Sequence, residues 1–313
     1  MKWLTSAPAN LMVMGEHSVV YGYKAIATAI DKRLTIEWQT RKDRKIVIDS
    51  ELAQYQGDLD NLIIDPKLQW VLTALAEFSG QLKYGLSIKI TSQFNATLGL
   101  GSSAAVLSAM LGGLAFYLQK SWTLEDKFNI GLKIIHKIQQ RGSGTDLAAS
   151  LSGGMILFNP VADSSKITKL SHAPLPLNLI YCGYKTPTAE VLKIVHENWQ
   201  EKPKLLTSLY KLMGQTTEQA FKAIQKNNLT DFYQLANSYQ GLMDALGVND
   251  LMLSRIIYET RTISTIQASK ISGSGLGDCV LSFGNLTTTN SFINQLQPMS
   301  VQTSAVGLLC EER

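Results

Sequence analysis

Hydrophobic positions recur along this chain with two different periods, and the two kinds of segment alternate. Residues 33–50 and 84–94 alternate apolar and polar side chains, as half-buried strands do. Residues 66–79 carry apolar side chains at helical spacing, with Pro66 near the start and Gly80 just past the end. Interleaved strands and helices of this kind predict an α+β or α/β fold.

The same reasoning predicts the other elements. In the first half we expect a strand over 3–15, a helix or helix-like segment over 16–31, helices over 102–119 and 124–141, and a further helix that leads into a strand at SGGMILF. In the second half we expect strands at LNLIYCGY, CVLSF and 300–309, and helices over 188–201, twice within 204–246, and over 290–297. The polar, Pro-containing stretch 160–173 is the predicted domain boundary.

Composition narrows the class of protein. The chain has 313 residues, 45% of them apolar and 17% charged, which indicates a globular protein with a sizeable core. A net charge of +4 is too weakly basic to indicate a nucleic-acid partner. The longest apolar stretch, 104–118, is too short to span a bilayer, so no membrane partner is expected. Three scattered cysteines without CxxC spacing fit a reducing cytoplasm.

The segment Leu98–Ala105, LGLGSSAA, follows a predicted strand and opens a predicted helix. Its glycines let the backbone approach a ligand, and Ser102 and Ser103 stand where a helix N-cap is expected. A helix N-terminus with free N–H groups is a site for phosphate, although a Gly-Ser turn can also serve as a cap alone. A dinucleotide-binding site is not favoured, because that motif also needs an acidic residue at the end of a following strand, and none stands there. A P-loop is not expected either, because the sequence contains no GxxxxGK[ST] motif.

Two further glycine-containing segments carry candidate chemistry. In Gly142–Ser150, GSGTDLAAS, Asp146 is either a helix N-cap or a base for a substrate hydroxyl. In Ser272–Val280, SGSGLGDCV, three alternating glycines precede a strand and leave backbone free to line a ligand.

Together with APANLMVMGEHSVVYG (residues 7–22), these segments resemble the three ordered motifs of the GHMP kinases, a family of galacto-, homoserine, mevalonate and phosphomevalonate kinases. The resemblance covers nearly the whole chain. It implies an ATP-dependent kinase with Mg²⁺, built as an α+β protein. Its N-terminal domain, here 1–165, would resemble ribosomal protein S5, and its C-terminal domain, here 166–313, would be ferredoxin-like.

The resemblance also implies roles for individual residues. Asp146 would activate the acceptor hydroxyl, and Ser103 with Glu16 would bind Mg²⁺. Glu16, His17 and Thr188 would contact the acceptor, although Thr188 also suits a helix N-cap and a lone His is often structural. The expected nucleotide-binding residues are Gly99, Leu100, Gly101, Ser102, Ser103, Ala104, Gly273, Ser274 and Gly275.

This sequence departs from the family pattern at two points. The first motif of mevalonate kinases usually contains a lysine at the transferring phosphate, and here Asn10 stands there. We hypothesise that Lys185 supplies the missing charge. No Asp or Glu occurs from Lys127 to Thr145, where the family often has a Mg²⁺-binding glutamate.

The acceptor class is less constrained than the family. GEHSVVYG followed by AIATAI resembles mevalonate kinases, whereas QRGSGTDLAAS and the Asp278-Cys279 pair resemble phosphomevalonate kinases. The implied partner is therefore a small molecule, first mevalonate, then phosphomevalonate or a sugar. A homodimer is an open option. The rival from outside the enzymes is a ligand-binding sensor on a kinase fold.

Overall fold

The computed structural model describes residues 1–95, 99–140, 142–162, 166–170, 175–287 and 289–313. The chain forms two compact units. The first comprises Met1–Asn10, Ala29–Gly153 and Ala305–Arg313, and the second comprises Leu11–Thr28 and Gly154–Ser304. This division is discontinuous along the chain, whereas the predicted domains 1–165 and 166–313 are sequential. The sequential division stays a prediction.

Strands and helices alternate through the described residues, which confirms the α+β class. The strands are β1 (Lys2–Met14), β2 (Ala25–Thr40), β3 (Lys45–Ser50), β4 (Gln54–Asp58), β5 (Leu86–Ser92), β6 (Met155–Phe158), β7 (Ile167–Leu170), β8 (Pro176–Tyr181), β9 (Ile266–Ser272), β10 (Cys279–Gly284), β11 (Met299–Gln302) and β12 (Leu309–Glu312). The helices are α1 (Gln69–Phe78), α2 (Ser102–Tyr117), α3 (Leu124–Gln139), α4 (Thr145–Ser152), α5 (Thr188–Trp199), α6 (Pro203–Gln225), α7 (Leu229–Leu246), α8 (Leu251–Arg261) and α9 (Ser291–Gln295).

The first unit is a sheet packed with helices. Its described strands pair in the order β12, β1, β2, β5, β3, β4, with β3 and β5 parallel. Helix α2 packs against α1, α3 and α4. Trp3 stacks on Trp38 with ring centroids 5.4 Å apart, and Trp38 Nε1 donates to Thr5 Oγ1 at 2.8 Å. A Cβ on Gly113 of α2 would lie 2.8 Å from Trp38 Nε1, so this glycine lets the helix sit close to the sheet.

The second unit has a separate sheet. Strands β11, β8, β10 and β9 pair in that order and are antiparallel. Helices α7 and α8 pack on β9, and α6 packs on α7. Phe232 of α7 meets Phe283 of β10 edge to face, with ring centroids 5.3 Å apart. Strand β6 pairs with β7 and with the Ala25–Thr28 part of β2.

The sequence prediction of a helix over residues 16–31 is wrong beyond a short 3₁₀ turn at Ser18–Tyr21, because β2 begins at Ala25. The first six residues of β2 are all buried, and a continuously buried apolar run cannot be assigned to strand or helix by its period. The predicted strand 300–309 is two strands, since β11 ends at Gln302 and β12 begins at Leu309. Neither β9 nor α8 was predicted, and the last three residues of β9 were assigned to the glycine loop that follows it. The helix α8 has a local signal, because the Asp250 side chain accepts from Leu253 N–H.

Parts of the predicted boundary 160–173, together with Leu98 and Arg141 of two candidate motifs, lie outside the described residues. Among the helices of the described part, none has both the length and the apolar character that crossing a membrane requires.

Candidate functional site

The glycine-serine turn of the first unit precedes α2 directly. Gly101 is the N-cap, with φ 63° and ψ 32°, and no side chain caps the helix. Ser102 and Ser103 are half-buried first residues of the helix, so the prediction that they stand at the N-cap position is wrong by one or two residues. Because the first N–H groups of a helix have no intrahelical acceptor, this turn offers donors and a positive dipole end to an anion.

Asn10 of β1 contacts this turn through its backbone and its side chain. Its backbone N–H donates to Leu100 O at 3.1 Å, and its Nδ2 lies 3.5 Å from Gly101 O. Asn10 is 1% exposed, and within the described residues its Oδ1 has no hydrogen-bond partner. A Cβ on Gly101 would lie 2.5 Å from Asn10 Cγ. Glycine is therefore required at position 101 both for the backbone conformation and for space.

A cavity of about 600 Å³ opens beside these serines. Its walls come from the sheet and from α1 and α2 of the first unit, and include Leu34, Ile90, Phe94 and Trp70 besides Ser102 and Ser103. A cleft of this size, lined by both apolar and polar side chains, is within the size range of small-molecule sites. These wall residues were not predicted from the sequence, because the alternating pattern around Leu34, Ile90 and Phe94 indicates only half-buried strands.

Asp146 lies in the first turn of α4, a helix that also begins after a left-handed glycine, Gly144. The alternative reading of Asp146 as an N-cap is wrong, since Gly144 takes that position. Asp146 is exposed, whereas Ser150, four residues on, is buried and donates from Oγ to Pro8 O at 2.6 Å. Residues four apart share a helix face, so the face of α4 that carries Asp146 is the one turned towards β1.

In the second unit, the Gly-Glu-His segment after β1 makes a strained turn. His17 has φ 60° and ψ −56°, and Ser18 N–H donates to Glu16 O at 2.6 Å. These values define a γ-turn of the rare form with positive φ, which costs about 1–3 kcal/mol for a residue with a side chain. Such strain persists only where surrounding contacts hold it.

A buried ion pair lies directly beside this turn. Lys270 Nζ of β9 donates to Glu16 Oε1 at 2.6 Å, and the two side chains are 0% and 2% exposed. Lys270 also donates to Ile271 O. Burial lowers the pKa of Lys270 from its ordinary 10.5, and the Glu16 carboxylate offsets part of this effect. Removing one partner of such a pair typically costs about 3–5 kcal/mol.

Tyr239 of α7 contacts the same segment through its hydroxyl. The hydroxyl donates to Glu16 O at 2.9 Å and accepts from Gly15 N–H at 3.1 Å. Burial, and after it the Glu16 carboxylate, raises the pKa of Tyr239 well above 10. Neither the role of Tyr239 nor the pairing of Lys270 with Glu16 was predicted from the sequence.

His17 is fixed by the glycine loop that follows β9. Its Nε2 lies 2.8 Å from Ser274 O, and since a carbonyl can only accept, Nε2 carries the proton. Burial lowers the pKa of His17 below its ordinary 6.5, against the opposing effects of the Ser274 carbonyl and Glu16. The imidazole is therefore neutral at pH 7, and its buried Nδ1 has no partner in the described part of the chain.

The predicted glycine loop, Gly273 to Gly277, is packed against protein on one side. Leu276 N–H donates to Val248 O at 2.8 Å, and a Cβ on Gly275 would lie 2.9 Å from Val248 Cβ. Gly273 is more open, with Asp278 Oδ2 3.8 Å from its notional Cβ. The part of the loop at Gly275 and Leu276 therefore packs against Val248, and the part near Gly273 has space for a ligand.

Lys185 and Thr188 also lie in the second unit. Lys185 Nζ pairs with Asp278 Oδ2 at 2.7 Å, with side-chain exposures of 41% and 11%. Thr188 is the first residue of α5 and Pro187 is the N-cap, so the N-cap reading of Thr188 is wrong. Thr188 Oγ1 lies 3.5 Å from Ser274 Oγ, which places it beside the glycine loop.

The described residues contain no group of three or more His, Cys, Asp and Glu side chains that could hold a metal ion. The Ser103 hydroxyl, in the first turn of α2, suits a cation that is held mainly by phosphate oxygens. Glu16 was predicted as a second metal ligand, but its Oε1 is taken by Lys270. This pairing gives the carboxylate a different partner, and therefore argues against a metal at Glu16.

Known proteins resemble this chain in sequence and in structure. Residues 66–154 match the family model described as GHMP kinases N terminal domain. The mevalonate kinase of Pyrococcus furiosus is 32% identical over the whole of this chain and 99% of its own length. That of Thermococcus onnurineus is 31% identical, also over 100% and 99%. The crystal structure of the Methanococcus jannaschii mevalonate kinase matches with a TM-score of 0.81 and 22% identity, over 96% of this chain and 98% of that one.

Proposed function

Because this chain belongs to the mevalonate kinase family of the GHMP kinases, we propose that it transfers the γ-phosphoryl group of ATP to the 5-hydroxyl of mevalonate. The family match spans both units, and the predicted α+β GHMP kinase fold is confirmed by the relatives. We place the reaction in the cytoplasm, as a step of isoprenoid biosynthesis. The three free cysteines, Cys182, Cys279 and Cys310, are compatible with that compartment.

The start of α2 is the observation that carries the proposal. Gly101 leaves the first N–H groups of a sixteen-residue helix uncapped, and a cavity of about 600 Å³ lies beside them. The phosphates of ATP fit the uncapped N–H groups and the dipole end of α2. The apolar wall that includes Leu34, Ile90 and Phe94 fits the base of a nucleotide.

Mg²⁺, when bound, supplies positive charge that neutralises phosphate oxygens. We assign one ligand to Ser103, whose hydroxyl stands at the first turn of α2. Mg²⁺ binds in this way to substrate phosphates and water with few protein ligands, which agrees with the lack of a carboxylate cluster in the described residues.

Asp146 is the proposed group that orients the acceptor hydroxyl and takes its proton. It is exposed at the start of α4, and hydrogen bonds hold the loop before it: His136 Nε2 donates to Gly142 O at 3.0 Å, and Thr145 N–H to Ser143 Oγ at 3.2 Å. Phosphoryl transfer depends mainly on positioning and electrostatics, so a fixed carboxylate is suited to this role.

Asn10 and Lys185 are the remaining proposed catalytic residues. Asn10 can donate a hydrogen bond from its amide to a phosphate oxygen but brings no charge. Lys185 is the proposed source of positive charge, and its pairing with Asp278 at 2.7 Å holds the ammonium in one place. Glu16, His17, Thr188 and Ser274 form the proposed acceptor subsite.

The test is an acceptor panel with a matched pair of variants. Mevalonate, phosphomevalonate, galactose and homoserine are each offered with ATP–Mg²⁺, and mevalonate should have the highest kcat/KM. Asp146→Asn should lower kcat by about 10²–10⁴-fold while the Kd of ATP changes less than twofold. Asp231→Asn, which changes an exposed acid in the first turn of α7, should leave kcat unchanged. Full activity of Asp146→Asn would remove Asp146 from the mechanism.

A further inference from the structure

The strained turn at His17 is held from two sides by β9 and the loop that follows it. Lys270, within β9, binds the Glu16 carboxylate at 2.6 Å, and Ser274, just after β9, accepts from His17 Nε2 at 2.8 Å. Two adjacent residues of the turn are therefore anchored to two points four residues apart. This arrangement fixes both the backbone of the turn and the direction of the imidazole.

Helix α7 supports the same arrangement from a second direction. The Tyr239 hydroxyl bridges Gly15 N–H and Glu16 O, while the neighbouring Gln240 accepts from Ile271 N–H with its Oε1 at 2.8 Å. Lys270 and Tyr239 are both buried, whereas the side chains of surface ion pairs are exposed to solvent. A carboxylate held this way in a dry interior cannot rearrange without leaving a charge unpaired.

The hydrogen bond between His17 and Ser274 determines which ring nitrogen of His17 can accept a hydrogen bond from a ligand. Since Nε2–H donates to Ser274 O, the neutral ring has its lone pair on Nδ1, which is buried and without a partner among the described residues. Glu16 Oε2 is likewise buried and unpartnered. Both atoms are hydrogen-bond acceptors, so this subsite suits a ligand donor and disfavours a carboxylate.

We propose that Lys270 is a positioning residue of the acceptor subsite: through Glu16 it holds the turn in which His17 Nδ1 accepts a hydrogen bond from the 3-hydroxyl of mevalonate. The inference rests on the proposed function. Mevalonate has two hydroxyl donors, and the proton of the 5-hydroxyl leaves during phosphoryl transfer. The tertiary 3-hydroxyl is therefore the donor that remains for an acceptor nitrogen, because the carboxylate has no proton to donate.

The first test measures the tautomer and needs no turnover. Protein with ¹⁵N-labelled histidine is studied by long-range ¹H–¹⁵N NMR at pH 7, and the His17 signals are assigned by their loss in His17→Gln. We expect a neutral ring with the proton on Nε2, in the free protein and with mevalonate bound. A proton on Nδ1 would overturn the proposal whether or not the chain phosphorylates mevalonate.

The second test compares mevalonate with its 3-deoxy analogue, 5-hydroxy-3-methylpentanoate. The wild-type protein should prefer mevalonate by at least tenfold in kcat/KM, because the analogue leaves Nδ1 unpaired. His17→Leu removes Nδ1 and introduces no other acceptor, so this preference should fall to about twofold or less. An undiminished preference in His17→Leu would refute the hydrogen bond. No turnover of either compound by the wild type would instead refute the proposed function.

The third test addresses Lys270 itself. Lys270→Met leaves Glu16 unpaired and can fail to fold, so Lys270→Arg and Tyr239→Phe are measured beside it. Both should raise the KM for mevalonate at least fivefold, reduce the preference over the 3-deoxy analogue, and change the KM for ATP less than twofold. Lys193→Met, in an exposed pair with Glu197 at 3.7 Å, is the matched control and should change none of these. A proportional loss of kcat with unchanged KM values in both variants would indicate a purely structural role and overturn the proposal.

Discussion

Gly101→Ala tests whether the turn before α2 is built as the geometry indicates. The backbone at position 101 has φ 63° and ψ 32°, a left-handed conformation that costs an alanine about 1–2 kcal/mol. The added Cβ would also lie 2.5 Å from Asn10 Cγ, and Asn10 is 1% exposed. Because Asn10 has little room to move, the methyl group must displace either β1 or the turn itself.

Two other glycines of the same chain serve as controls that separate the conformational cost of Gly101→Ala from its steric cost. Gly247 has φ 88° and ψ 26° at the end of α7, with no atom within 4 Å of a notional Cβ, so Gly247→Ala measures the conformational cost alone. Gly241, inside α7, also has an open Cβ position, and Gly241→Ala should stabilise by up to about 1 kcal/mol. Overpacking adds about 1–3 kcal/mol at Gly101, so Gly101→Ala should lower the free energy of unfolding by about 2–5 kcal/mol.

Urea unfolding gives the three stabilities, and steady-state kinetics gives the effect on the site. Displacement of the turn moves the first N–H groups of α2, so Gly101→Ala should also raise the KM for ATP at least tenfold, at a temperature where it is folded. The two control variants should bind ATP as the wild type does. If Gly101→Ala is no less stable than Gly247→Ala and its KM for ATP is unchanged, the contact between Gly101 and Asn10 has no role in nucleotide binding.

Two further predictions concern charge in the second unit. Since burial depresses the pKa of His17 below 6.5, the unfolded state binds the proton more tightly, and stability present above pH 6.5 should be lost as pH falls towards the folded pKa. Urea unfolding between pH 7.5 and 5 should show this loss, at most about 1.4 kcal/mol per pH unit, and His17→Gln should flatten it; equal slopes would contradict a buried neutral imidazole. Lys185→Ala should reduce kcat at least tenfold with little change in the Kd of ATP, whereas Lys193→Ala should not, and unchanged turnover of Lys185→Ala would remove it from the transition state.

Local patterns predicted the features that a short stretch of chain determines alone. The alternating residues of β5 and the apolar face of α1, flanked by Pro66 and Gly80, were enough to place both elements. The glycine turns at Gly101 and Gly275 were also predictable, because positive φ and close backbone approach need glycine wherever they occur.

Contacts between distant residues could not be predicted in the same way. Glu16 and Lys270 are 254 residues apart, and their ion pair exists because β9 passes beside the turn after β1. Before that pairing is known, Glu16 is a free carboxylate and a reasonable metal ligand. The turn at His17 gives no local signal either, since positive φ at a histidine is stable only when tertiary contacts hold it.

The rule that Ser, Thr, Asp or Asn occupies the N-cap fails at the starts of α2 and α4. Ser102, Ser103 and Asp146 each lie one or two residues after the N-cap. Thr123 before α3, Asn228 before α7 and Asp250 before α8 do what the rule expects, because each accepts a backbone N–H with its side chain. At α2 and α4 a left-handed glycine takes the N-cap position, which costs only about a few tenths of a kcal/mol relative to a capping side chain and moves the polar residues into the first turn. Ser102 and Ser103 therefore stand beside first N–H groups of α2 that the N-cap residue does not cap, an arrangement that suits a phosphate. Asp146 stands in the first turn of α4, where Ser143 Oγ accepts the Thr145 N–H and the carboxylate is exposed for the proposed contact with a hydroxyl.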